Sequence, residues 1–314
     1  MVKIAVAGGT GNVATEILRA TIASGRHDVT IFTRSAPKEL DTNVSYKKVD
    51  YASRSDLTEA LRGFDVCLSF FVVHQDVDCV GQKNLIHACI NAGVQRFAPS
   101  EWGIKNASGC PPYENKDTIA AYLQSINKNE QVLEYCLFQP SIFLDYFAHP
   151  HPLSPGLITW PFFIDYENRR AMILDDGDQP LVLTAISDIS QILLRAIEDD
   201  QPWPTIGGMR GTRTTVNELV DLGKELRGGE WTIEKLKGED ILKGELKTSW
   251  IPTMSHPVIP QESREAFSKE FVVMFFTALL RGAWDVSDEF NKKYPDFKFQ
   301  SAREYLTKAW EGKE

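Results

Sequence analysis

The sequence predicts an α/β protein: a Rossmann-like, doubly wound parallel sheet followed by a smaller mixed α/β lobe. Three observations carry that prediction. The first half alternates short β-branched, apolar runs with amphipathic helical runs, the pattern of a parallel sheet buried on both faces by helices. The first of these runs leads straight into the glycine-rich turn Gly8-Gly9-Thr10-Gly11. A proline-rich break, Ala148-His149-Pro150-His151-Pro152-Leu153-Ser154-Pro155-Gly156, then ends the alternation.

The organisation that follows is a dinucleotide-binding domain over residues 1–148 and a mainly substrate-binding lobe over 149–314, with segments such as 181–200 expected to return to the first domain.

The elements read in order. Lys3–Ala7 is an apolar strand, and Asn12–Ser24 a helix with Val13, Ile17, Leu18 and Ile22 on one face. Val29–Thr33 and Ser45–Val49 are strands, and Ser53–Leu61 is a helix whose Ser and Asp can cap free amides. Asp65–Val73 is a fourth strand. Val77–Ala92 is a helix closed by Gly93, a residue that tolerates the left-handed terminal conformation. Arg96–Pro99 is a fifth strand, Lys116–Asn127 a helix and Glu134–Phe138 a sixth strand. Beyond the break, Leu157–Ile164, Ala171–Leu174 and Leu181–Thr184 read as strands. Ser187–Glu198, Thr215–Leu226, Ser263–Arg281 and Ala302–Glu311 read as helices. The stripe Phe267, Phe271, Phe275, Phe276 at helical spacing reads as core, or as part of a substrate wall.

Composition narrows the class. The chain has 314 residues, 43% hydrophobic and 25% charged, as in ordinary globular proteins. A net charge of −9 repels phosphate backbones, so nucleic-acid binding is not expected. The five cysteines, Cys67, Cys79, Cys89, Cys110 and Cys136, form no CxxC pair and read as free thiols in a reducing compartment. The opening Met1–Val6 is expected to enter a strand at once, without a targeting peptide. The apolar run Phe271–Leu280 is too short for a membrane span. A cytoplasmic monomer or homodimer acting on a small molecule is therefore expected, with no membrane partner.

The glycine-rich turn is the strongest chemical signal. Gly8, Gly9, Thr10, Gly11, Asn12 and Val13 lie between strand and helix, with Ala14 at the third small position. Glycine permits the tight turn and lets the backbone approach a pyrophosphate, while the helix N-terminus offers free amides. No Gly-Lys-Ser/Thr follows, which excludes a Walker A loop. The second strand ends Thr33-Arg34-Ser35 rather than in Asp or Glu. Arg34, with Ser35 and Lys38, can grip a 2′-phosphate, so NADP (NADPH) is expected over NAD.

Ligands of open α/β sheets sit at the carboxyl ends of the strands. Ser69, Phe70, Phe71 and His74 lie there, as do Ser100, Glu101 and Trp102, and Gln139, Ser141, Phe143 and Tyr146. Phe70 and Ser100 are expected to border the cofactor; Trp102, Phe143 and Tyr146 are expected to border the substrate. Lys116 falls on the same helical face as Ile119 and Leu123, in the first turn. Desolvation and the helix dipole would both depress its pKa there. Such a lysine either serves an anionic or hydroxyl-bearing partner or snorkels to solvent. A Tyr-x-x-x-Lys pair would need tyrosine at 112, which is Pro112; Tyr113 is one place off. Gly-x-Ser-x-Gly is absent. His149 and His151 have no third ligand nearby, so no metal site is expected.

These residues resemble the isoflavone reductase-like branch of the NmrA-like family, a group of atypical short-chain dehydrogenases. The likeness rests on the turn Gly8–Ala14, Arg34, the run Arg96-Phe97-Ala98-Pro99-Ser100-Glu101-Trp102-Gly103, and Lys116. Ser187-Asp188-Ile189, Thr215-Val216-Asn217-Glu218-Leu219 and Tyr294-Pro295-Asp296-Phe297 are similar to fungal members. The resemblance implies an NADPH-dependent reductase of an aromatic or secondary-metabolite substrate, with Lys116 as general acid/base. It also covers an NADP-binding regulatory sensor that engages a protein partner without turnover; a non-redox isomerase or cyclase that keeps the fold and uses the cofactor structurally is a further alternative. Ala14 in place of the last glycine and Trp102 in place of phenylalanine depart from the plant pattern.

Overall fold

The computed structural model describes residues 1–35, 41–257 and 259–313. Its first half is built from β1 (Lys3–Ala7), α1 (Asn12–Ala23), β2 (Asp28–Thr33), β3 (Ser45–Lys48), α2 (Arg54–Leu61), β4 (Val66–Ser69), α3 (Val80–Ala92), β5 (Arg96–Ala98), α4 (Glu114–Ile126) and β6 (Glu134–Tyr135). The six strands form one parallel sheet in the order β3-β2-β1-β4-β5-β6. That order reverses direction at β1, so the crevice of a doubly wound sheet opens between the ends of β1 and β4. Ile4, Ala5, Val6 and Ala7 are all buried, as are Val66, Cys67, Leu68 and Ser69. The continuous apolar runs in the sequence follow from burial on both faces.

The second half contributes β7 (Leu137–Gln139), β8 (Ile142–Phe143), β9 (Ile164–Asp165), β10 (Arg170–Leu174), β11 (Pro180–Thr184), α5 (Ile186–Glu198), β12 (Ile206–Gly208), β13 (Thr212–Thr215), α6 (Val216–Arg227), β14 (Thr232–Leu236), α7 (Gly238–Leu242), α8 (Arg264–Leu280), α9 (Glu289–Lys293) and α10 (Ala302–Trp310). Its strands make two three-stranded sheets, β14-β10-β9 and β13-β11-β8, and the pair β12-β7. The core here is aromatic: Phe163 stacks on Phe275 at 4.4 Å, and Phe275 meets Trp284 at 4.9 Å. Phe275 and Phe276 are fully buried, whereas Phe267 and Phe271 border a smaller cluster of Trp160, Met254 and Ile259.

Helix α5 lies back on α1. Ile189, Ile192 and Leu193 share one buried cluster with Ile17, Leu18, Ile4 and Val6, and the Ala20 amide donates to Ser190 Oγ at 2.9 Å. The start of α5 is fixed by the buried carboxylate of Asp145, which accepts from the Ile186 amide (3.0 Å) and the Tyr305 hydroxyl (2.6 Å). Its end is fixed by Arg96. That guanidinium donates to the carbonyls of Ala196 (3.3 Å), Asp199 (2.7 Å) and Gln201 (3.1 Å), and pairs with Glu134 at 3.0 Å. A cation at a helix C-terminus meets otherwise unsatisfied carbonyls and the negative end of the dipole.

Several elements differ from the sequence reading. The expected strand Glu134–Phe138 breaks at Cys136, because β6 pairs with β5 while β7 pairs with β12. Within Leu157–Ile164 just Ile164 is in a strand. The helix expected from Val77 starts at Val80, since Asp78 (φ 53°) and Cys79 (φ 56°) adopt left-handed backbone conformations. Helices α7 and α9 have no counterpart in the sequence reading. Among the described residues, no helix is long and apolar enough to cross a membrane.

Arg96→Met should destabilise the fold by about 2–4 kcal/mol, the scale of several charge-assisted hydrogen bonds to main-chain carbonyls. Urea unfolding read by circular dichroism measures the change, and Arg96→Lys should recover little of it because an ammonium lacks the planar fork.

Candidate active site

The turn after β1 is shaped by what has no side chain. Gly8 has φ +75°, and a Cβ there would sit 2.7 Å from the Phe70 carbonyl oxygen. A Cβ on Gly9 would meet Ile31 Cδ1 at 2.7 Å and Val6 Cγ1 at 2.9 Å. Gly11 is different: a Cβ would find no neighbour nearer than 3.6 Å. The protein's own packing therefore does not demand glycine at position 11, whereas a ligand backed against the α1 N-terminus would. Ala14 is buried and lets α1 seat on the sheet. The turn closes through Gly11 N–H to Gly8 O (3.3 Å), and α1 begins with Thr15 N–H to Gly11 O (2.9 Å).

A cleft of about 1010 Å³ opens over this turn. Gly8, Gly9, Thr10, Gly11, Arg34, Ser35 and Phe70 all line it, so the structure brings these expected residues together. Arg34 and Ser35 are exposed at the end of β2, and no ion pair of Arg34 occurs among the described residues. Lys38 lies outside the described residues. Asn12 and Val13 are not part of the lining; Asn12 Nδ2 instead donates to His256 Nε2 at 2.7 Å. Tyr51, which sequence reasoning passed over, also lines the cleft. Its hydroxyl donates to the Phe32 carbonyl (3.0 Å) and its ring meets Phe71 edge-on at 4.8 Å.

A second turn, at the end of β5, adjoins the first through Phe70 and Phe71. Ser100 is buried, its Oγ donating to the Phe71 carbonyl (2.8 Å) and its amide to Gln82 Oε1 (3.0 Å). Trp102 has φ +46°, a costly conformation for a bulky residue. It is held there by its indole N–H on the Ser69 carbonyl (2.9 Å) and by rings on both sides, Phe70 at 4.6 Å and Phe138 at 5.0 Å. Trp102 thus backs Phe70 from within the core, and Phe143 is likewise buried, stacked 6.2 Å from Tyr146. Tyr146 is partly exposed and packs on Trp160 at 4.7 Å.

The left-handed turn aims the Glu101 carbonyl at α4, where the amine of Lys116 donates to it. The same amine lies 4.8 Å from the centre of the Tyr113 ring, a cation–π contact. Tyr113, one place away from the familiar Tyr-Lys spacing, is therefore beside the lysine after all. Gly103 leaves room for this, since a Cβ would stand 3.3 Å from Lys116 Nζ. Burial pushes the Lys116 amine below its ordinary range, while the carboxylates of Glu101 and Asp117 pull it back up. Burial also pushes the Glu101 carboxyl up to about 7, against the opposing pull of Lys116 and the Asn106 amide. The partners Gln82, Asn106 and Asp117 were absent from the sequence reading of the site, which named Gln139 as a strand-end residue without a partner. Gln82, a polar residue on the inner face of α3, carried a signal; Asn106 and Asp117 come from separate elements and carried none. Among the described residues, no group of three or more metal-ligating side chains occurs.

The geometry has known counterparts. The NmrA-like family profile matches residues 2–306. The chain belongs to the NmrA-like family. Among its curated relatives, oxidoreductase swnN of Metarhizium robertsii is 28% identical over 78% of this chain and 80% of its own. Isoflavone reductase homolog P3 of Arabidopsis thaliana is 25% identical over 97% of each. The leucoanthocyanidin reductase–NADPH complex of Vitis vinifera superposes with a TM-score of 0.72 at 16% identity, covering 98% of this chain and 99% of that one. Its named relatives thus include oxidoreductases and an isoflavone reductase homolog, in line with the resemblance carried by the residues of the two turns.

Two outcomes follow from this geometry. Gly8→Ala should cost at least about 1–2 kcal/mol from the left-handed backbone alone, with the Phe70 contact adding to it, read as a lowered melting temperature. Glu101, whose proton is held more tightly folded than unfolded, contributes stability below pH 4.5 that is lost as pH rises to about 7. Urea midpoints at pH 5 and pH 8 should therefore differ less in Glu101→Gln than in the wild type.

Proposed function

We propose that the chain is an NADPH-dependent reductase of a small aromatic or secondary-metabolite molecule, with Lys116 as its acid–base group. The observation that carries the reading is the placement of a desolvated lysine amine on the Glu101 carbonyl, in a turn joined through Phe70 and Trp102 to the rim of the glycine-lined cleft. The residues fit the cofactor. Gly11 has open space at the α1 N-terminus, and the first-turn amides of that helix suit a diphosphate. Arg34, with Ser35 and Lys38 beside it in sequence, suits a 2′-phosphate. The complex of the Vitis vinifera reductase named above contains NADPH.

In this reading Phe70 and Ser100 border the reacting end of the cofactor, and Tyr146 borders the substrate, supported from behind by Trp102 and Phe143. The lobe beyond residue 148 selects the substrate. NADPH, when bound, supplies a hydride. Lys116 supplies a proton or a hydrogen bond to the substrate oxygen on which negative charge develops. Its depressed pKa makes the ammonium a better acid than an exposed lysine. Aromatic walls exclude water and strengthen that interaction.

Lys116→Ala should leave NADPH affinity within a few fold while lowering turnover by roughly 10²–10⁴, measured as NADPH oxidation over a panel of aromatic carbonyls and benzylic ethers. Full activity in the variant would reject the assignment. Arg34→Ala should weaken NADPH about tenfold or more, the scale of a lost charge-assisted contact, and leave NADH binding nearly unchanged by calorimetry. Equal loss of both dinucleotides would refute the phosphate role.

A further inference from the structure

Glu101 is a carboxyl with 2% exposure and few donors. Both of its oxygens receive the same group, Asn106 Nδ2, at 3.3 Å each. That nitrogen also reaches Asp117 Oδ1 at 3.3 Å, so one amide is divided between two carboxyl groups. Asn106 is itself held by Gln139 Nε2, which donates to its Oδ1 at 2.7 Å. Asp117 is better served, receiving the Ala107 amide at 2.9 Å. The groups facing Glu101 come from every element around it: Lys116 and Asp117 on α4, Tyr113 ahead of α4, and Cys136 between β6 and β7. Lys116 is the cation among them. A buried carboxylate normally needs two or three good donors, and this one lacks them. Its acid form is the one its surroundings favour until the neighbouring ammonium supplies compensation.

We propose that Glu101 is the positioning residue for Lys116: its main-chain carbonyl fixes the amine, and its carboxyl, passing between acid and carboxylate, sets how tightly that amine holds its proton. The proposal rests on the reading of Lys116 as the acid–base group and gives that group a reason to respond near neutral pH. With Glu101 protonated, the amine has a carbonyl and the Tyr113 ring and releases its proton readily. With Glu101 ionised, a buried negative charge beside it retains that proton. The two groups therefore titrate as a pair, and the amide shared through Asn106 links the pair to Asp117.

The test reads the Lys116 amine directly and needs no turnover, so it stands apart from the success or failure of the reductase reading. The full chain is labelled with acetic anhydride between pH 6 and pH 10, and acetylation of the Lys116 peptide is followed by mass spectrometry. In Glu101→Gln the profile should move to lower pH by at least one unit, giving several-fold more labelling at pH 7.5. Asp117→Asn should move it by less than half as much, because Asp117 already has its own backbone donor. Coincident profiles for wild type and Glu101→Gln would overturn the proposal. If Glu101→Gln does not fold, the wild type decides through carbon NMR of glutamate-labelled protein. One glutamate carboxyl should titrate within about one unit of pH 7, and titration of every glutamate below pH 6 would overturn the proposal.

Discussion

The site depends on a backbone-to-backbone approach that only a residue without a side chain allows. The turn after β1 presses Gly8 against the carbonyl of Phe70, at the end of β4. Because β1 and β4 flank the point where strand order reverses, this contact sets the width of the crevice that a doubly wound sheet opens there. Phe70, held in place by its amide on the Ala7 carbonyl at 2.8 Å, then stacks on Trp102. Trp102 in turn fixes the left-handed turn whose carbonyl receives Lys116. Glycine turn and lysine are thus linked through two aromatic rings and one main-chain contact.

The electrostatics of the lysine pocket follow from the same packing. The turn buries a glutamate beside a half-buried lysine without giving the glutamate a full set of donors. Burial acts on both groups in favour of their neutral forms, and their mutual attraction acts against it. Such opposed influences shift both groups from their ordinary ranges, a common arrangement where protons are moved. By contrast, Asp145 sits equally deep but accepts from a helix-start amide and a tyrosine hydroxyl, and serves the fold.

Much of this was legible in the sequence where the signal is local. The glycine turn, Arg34 at the end of β2, the Ser53 cap, which accepts from the Asp56 amide, and the left-handed Gly93 at φ +76° all answer to rules spanning a few residues. The burial of Ile119 and Leu123 placed Lys116 on the inner side of α4 in the same way. What escaped the sequence needs partners distant along the chain. The break at Cys136 lies within an unbroken apolar run, and arises because successive residues pair with β5 and then with β12. The tyrosine beside Lys116 was discounted on helical spacing, yet Tyr113 stands in the short turn ahead of α4, where that spacing does not apply. Asn106 and Asp117 come from different parts of the chain, and no pattern announces them as partners of Glu101 or of Gln139, whose strand-end place alone was legible.

The return of α5 onto α1 also bears on how the chain is made. Ile17 and Leu18 on α1 are covered by a helix that is finished only at residue 198. At about 5–20 residues per second, synthesis separates the two helices by roughly 10–35 s. Until then the apolar stripe of α1 lacks the helix that covers it in the folded protein, so the first domain cannot complete its packing before the second half of the chain has been made.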